Sequence, residues 1–183
     1  PGFALNDEIG LQMVSWPRSE RPPVIHPGHT SFMTGFEYAA AVHLLQEGCI
    51  DEGVEVVRNI RNRYDGIKRN PWNEAECGHH YARAMASWGV LPALSGFQFN
   101  GVTRSIQFLP QLEQDEFRCF WSTPTGWGLF RRTEVSAERL NAEIEVCHGE
   151  LLLRSVDLDA AFGGVKQVVC DSHSVGFRVD LHD

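Results

Sequence analysis

The spacing of apolar residues changes once along this chain, near residue 100, and that change constrains the fold more than any other feature. Before it, apolar positions recur every three or four residues, as on a helix face. After it they alternate, as on a half-buried strand. Thr34 is placed to cap a helix carrying Phe36, Tyr38, Ala41, Val42, Leu44 and Leu45, which Gly48 ends. Its apolar residues lie on most faces, which predicts a buried helix. Asp51 opens a second helix with Val54, Val57, Ile60 and Tyr64 at helical spacing, and Tyr64-Asp65-Gly66 reads as its stop. A third is expected from about Gly78 to Gly96, with Pro92 kinking or shortening it.

Short alternating runs follow at Ser105–Leu109, Phe117–Trp121, Trp127–Arg131, Glu143–Cys147, Leu151–Leu158, Lys166–Cys170 and Val175–Leu181. Helices first and strands after make an α+β order rather than an α/β alternation. Residues 1–33 hold five of the nine prolines and are expected to be an extended lead-in. The expected organisation is therefore 1–33 lead-in, 34–100 helical portion and 101–183 β-rich segment.

Charge and cysteine content exclude several functions. The 183 residues carry a formal charge of −8, which argues against a nucleic-acid partner, whose phosphates need a basic face. No apolar run reaches the about 20 residues of a membrane span. Five cysteines without a C-x-x-C pair read as thiols in a reducing compartment such as the cytoplasm. The chain opens on Pro1-Gly2-Phe3 with no signal-like segment, and is expected to be a piece of something longer. Phosphate-binding glycine loops and the G-x-S-x-G elbow are absent. His26-Pro27-Gly28-His29 reads as a turn.

The stretch from Arg63 to Trp88 is the richest in chemistry. Three readings of it stand side by side. In the first, Asn73 caps a helix and Glu76 completes a capping box, with Arg83 paired on the surface. In the second, Glu76, Cys77, His79 and His80 hold a metal; adjacent histidines on a helix point about 100° apart, and no metal motif is present. In the third, carboxylates, guanidinium and aromatics form a polar pocket for a hydroxyl-rich ligand, a small carbohydrate. On helical spacing, Glu76, His79 or His80, and Arg83 share one face.

Met33-Thr34-Gly35-Phe36-Glu37-Tyr38, Arg63-Tyr64-Asp65-Gly66, Asn70-Pro71-Trp72-Asn73-Glu74 through Arg83, and Gly96-Phe97 resemble the C-terminal part of glycoside hydrolase family 116. This is the family of non-lysosomal glucosylceramidases and microbial β-glucosidases. Glu76-Cys77-Gly78-His79-His80-Tyr81-Ala82-Arg83 resembles its bacterial branch, and Phe120 with Gly126-Trp127-Gly128 fits the segment that follows. The likeness runs from about residue 31 to 130.

The resemblance implies that the helical portion supplies the last helices of an (α/α)6 barrel. It implies a retaining β-glycosidase whose glutamate nucleophile and aspartate acid/base stand roughly 5–5.5 Å apart. Neither carboxylate's motif occurs here, so no catalytic residue is expected in this chain, which alone should be inactive. Glu74 and Arg83 match a family pair, nine residues apart, that holds the outer hydroxyls of the sugar; Asn73 and His79 are expected at the edge of that site. No cofactor and no metal are implied. The missing N-terminal part of the same protein is the expected macromolecular partner. The chain departs from the family where Ser31 and Met33 replace a Glu-x-Trp pair, and where His79 stands in a position more often aspartate.

Nine residues of straight helix would put Glu74 and Arg83 on opposite faces, roughly 13 Å apart along the axis. The sugar-binding roles therefore require Glu74 in a loop and a helix starting near Gly78. The capping box requires a start at Asn73, so the two readings exclude each other.

Overall fold

The computed structural model describes residues 5, 7–74, 79, 83–112, 116–136, 139–158, 169–170 and 173–174. Mixed α+β structure is present, with helices preceding strands. The chain divides into two compact units, Pro1–Ala93 and Leu94–Asp183, and the division falls inside the last described helix.

The first unit is built on α1 (Thr34–Gln46) and α2 (Ile50–Arg63). Thr34, Glu37, Tyr38, Ala41 and Leu45 are the buried residues of α1; each lies three or four residues from another, so this helix has one buried face. A Cβ on Gly53 of α2 would come within 2.8 Å of two Leu45 carbons, so only glycine lets the helices pack this closely. Phe32, Tyr64, Ala84 and Val90 complete the core, with Ile60 2% exposed. Met33, not Thr34, is the N-cap of α1 and makes no side-chain cap bond. The Thr34 hydroxyl instead donates to the Glu74 carboxylate.

The lead-in is not simply extended. Pro27–Thr30 form a 3₁₀ turn capped by His26, whose Nδ1 accepts from Gly28 N–H at 3.1 Å. The expected third helix is corrected too. Arg83–Gly89 is 3₁₀ and only Val90–Ser95 (α3) is α-helical; residues 75–78 and 80–82 lie outside the described residues. His79 has φ 74°, so it cannot share a helix face with Arg83. Phe36, Met85 and Trp88 are half-exposed or more, and Leu44 is partly buried.

The second unit holds two three-stranded sheets and a two-stranded pair. β1 (Gln98–Asn100) pairs antiparallel with β2 (Ser105–Phe108), and β2 runs parallel to β6 (Ser155–Leu158). β3 (Glu116–Ser122), β4 (Gly126–Ser136) and β5 (Arg139–Gly149) form an antiparallel meander. β7 (Val169–Cys170) pairs with β8 (His173–Ser174). Ile106, Phe108, Trp121 and Phe130 form the buried centre, where the Phe108 and Phe130 rings stack at 4.1 Å and 3°. Burial of each such side chain stabilises by about 1.5–3 kcal/mol. The strand expected over residues 151–158 covers only Ser155–Leu158, because Leu151 and Leu153 pack on the centre from an irregular segment. The run expected from Val175 to Leu181, and residues 166–168, lie outside the described residues.

Candidate functional site

Glu74 is 2% exposed and irregular in conformation, as is Asn73 before it. The helix start at Asn73 that a capping box requires is therefore not there, and Glu76 lies outside the described residues. Instead the Glu74 carboxylate reaches back 40 residues to the first turn of α1. Its Oε2 accepts from the Thr34 hydroxyl and from the Thr34 N–H at 3.3 Å. An acidic side chain there satisfies a helix-end N–H and sits at the positive end of the helix dipole. The other oxygen, Oε1, is buried and has no hydrogen-bond partner among the described residues. A buried acceptor left this way costs about 1–3 kcal/mol.

Arg83 arrives at the same turn from the start of the 3₁₀ segment. Its guanidinium lies 5.1 Å from the centre of the Phe36 ring and its Nη1 is 3.9 Å from Met33 Sδ. A Cβ on Gly35 would come 3.0 Å from Arg83 Cβ. Glu74 and Arg83 thus flank residues Met33–Phe36, one on the Thr34 amide and hydroxyl, the other along Met33, Gly35 and Phe36. They are not on opposite faces of one helix. Asn73 and His79 meet each other, Oδ1 to Nδ1 at 2.8 Å, with His79 exposed. Tyr64 lies within electrostatic reach: burial pushes its phenol up, and the Glu74 charge adds to that shift.

Sequence reading missed a second cluster beside this one. Glu37, on the first turn of α1, and Arg63, at the end of α2, form an ion pair in which each side chain is 1% exposed. The lead-in is laid across it: Leu11 N–H donates to Glu37 Oε1 at 2.9 Å, and Arg63 Nη1 donates to the Ile9 carbonyl at 2.6 Å. Arg63 also lies 5.2 Å from the Phe32 ring centre. Glu8 joins Arg69 through both carboxylate oxygens, and Arg69 donates to the Arg63 carbonyl at 2.9 Å. Burial alone would raise the Glu8 pKa, but the Arg69 hydrogen bond, the Leu5 amide and the charges of Arg69 and Arg63 outweigh it and hold the carboxyl below its usual value. The adjoining turn is closed by Asp65, whose Oδ1 accepts from the Ile67 and Lys68 amides at 2.8 and 2.7 Å. Between the lead-in and the end of α2 is an open hollow of about 250 Å³.

No group of three or more His, Cys, Asp or Glu is placed to hold a metal among the described residues, and no described helix is long and apolar enough to cross a membrane. Compared with known protein families and with curated proteins, the chain matches neither a family model nor a curated sequence.

Proposed function

We propose that this chain is the C-terminal portion of a family-116-like retaining β-glycosidase, contributing the last helices of an (α/α)6 barrel and the pair Glu74 and Arg83 that holds a sugar's outer hydroxyls. The observation that carries the reading is the convergence of these residues on the first turn of α1, with Glu74 outside any described helix and its Oε1 unpartnered among the described residues. A carboxylate acceptor and a guanidinium donor that reach the same helix turn suit hydroxyl groups, which both give and accept. Such contacts fix the ring so that binding energy is applied at the anomeric carbon. Neither residue transfers a proton. The nucleophile and acid/base belong to the part that precedes this one.

A second reading rests on the same carboxylate. Because Oε2 is already engaged by Thr34, Glu74 also suits a purely structural cap of α1 in a non-catalytic carbohydrate-binding or scaffolding protein derived from the barrel. The test begins with the coding sequence upstream. Glycosidase motifs there, together with hydrolysis of an aryl β-glucoside by the joined protein but not by the 183 residues alone, are the expected result. Hydrolysis by this chain alone, or an upstream region without both carboxylate motifs, would overturn the assignment.

A further inference from the structure

The hollow at the C-terminal end of α2 is separate from the Glu74 and Arg83 pair, and its lining is partly engaged and partly not. Glu8 is held by Arg69, and one Asp65 oxygen by the amides that close its turn. Four other lining side chains, those of Asp7, Asn59, Asn62 and Lys68, hold no hydrogen bond or ion pair among the described residues. Asn59 and Asn62 are three apart on α2, so they project from one helix face. Arg63 lines the same hollow, is 1% exposed, and its buried Nε has no partner among the described residues.

We propose that this hollow is a further saccharide subsite that takes the hydroxyls of one neutral sugar ring. Charge selects against other ligand classes. An anion such as phosphate would meet the carboxylates of Asp7 and Asp65. A metal cation would meet the exposed Lys68 ammonium, while Arg63 is already neutralised by Glu37. A neutral hydroxyl suits both, since it donates to a carboxylate or amide oxygen and accepts from an ammonium or amide N–H. The two asparagines each carry a donor group and an acceptor, the complement of hydroxyls that both give and accept. The volume, about 250 Å³, lies below the roughly 300–1,000 Å³ of sites for drug-sized molecules and suits one ring rather than an oligosaccharide. Polar, open and without an aromatic wall, it should bind weakly, with a Kd of roughly 1 mM.

The inference does not depend on the role of Glu74 and Arg83, and one experiment separates the two. The full 183-residue chain, labelled with ¹⁵N, is titrated with methyl β-glucoside while backbone amides are followed. Saturable shifts are expected at Asn62, Asp65 and Lys68. Asn62→Leu and Lys68→Met, both at exposed side chains, should each weaken that response at least tenfold, and Glu74→Gln should leave it unchanged. Shifts confined to Thr34–Phe36 would support the α1 site and overturn this one. So would a response unaltered in both variants, no saturable shift at the end of α2, or a stronger response there to sodium phosphate or calcium chloride.

Discussion

Glu37 and Arg63 show what a single buried pair does in this chain. Two ions at 1% exposure are tolerable because each is also hydrogen-bonded to the lead-in, Glu37 to Leu11 and Arg63 to Ile9. Removing one partner leaves the other charge buried, so Glu37→Gln or Arg63→Met should destabilise the first unit by about 3–5 kcal/mol, read by urea denaturation. Gly10 lies directly over the pair: an added Cβ would be 2.6 Å from Arg63 Nη1, 2.7 Å from Glu37 Oε1 and 2.7 Å from a Phe32 ring carbon. Gly10→Ala should therefore cost about 1–3 kcal/mol, with the largest hydrogen-exchange increase at Leu11, whose amide bonds Glu37. Glu8 gives this region a pH dependence. Its folded pKa lies below the unfolded value of 4.5, so its contribution is complete above 4.5 and is lost as pH falls through the lower folded value. Acid titration of wild type against Glu8→Gln should show the two stability curves converging on the acid side and separating above it.

At the scale of elements, α2 was legible because a helix of nearly four turns repeats its apolar face often enough to fix the period, and α1 because a long run of apolar and alanine residues ends at Gly48. The segment from Arg83 was not. Seven residues contain too few repeats to separate a spacing of 3.0 from 3.6, and Trp88 and Met85, read as a helix face, are 66% exposed. Strands β2 to β5 were legible from alternation. The Glu37–Arg63 pair was invisible, since its partners are 26 residues apart and charges carry no periodicity. The loop placement of Glu74 was foreseen only as a geometric requirement of its sugar-binding role, and its bond to Thr34 was not foreseen at all. Alternation also sorts the cysteines of the meander. Cys119 faces the buried centre, where burial pushes its thiol up to about 11 against a smaller opposing effect of the Ser95 hydroxyl. Cys147, beside a register shift of β5, is exposed. Alkylation at neutral pH followed by peptide mapping should therefore label Cys147 well before Cys119.

For the whole molecule, the central claim is that Glu74 and Arg83 hold sugar hydroxyls and do not merely secure the start of α1. The exposure of Phe36, Met85 and Trp88 does not bear on that chemistry. The direct measurement is kcat/KM of the protein extended by its upstream coding sequence, the joined glycosidase of the proposal, for Arg83→Met against wild type, on a β-glucoside and on its deoxy analogues lacking single outer hydroxyls. Replacing Arg83 should lower kcat/KM on the parent glucoside by about 10- to 1000-fold, roughly 1.4–4 kcal/mol, with both limbs of the pH profile in place. The penalty should shrink on the analogue missing the hydroxyl that Arg83 holds. Unchanged kcat/KM with a lowered melting temperature, or an equal penalty on every analogue, would contradict the claim.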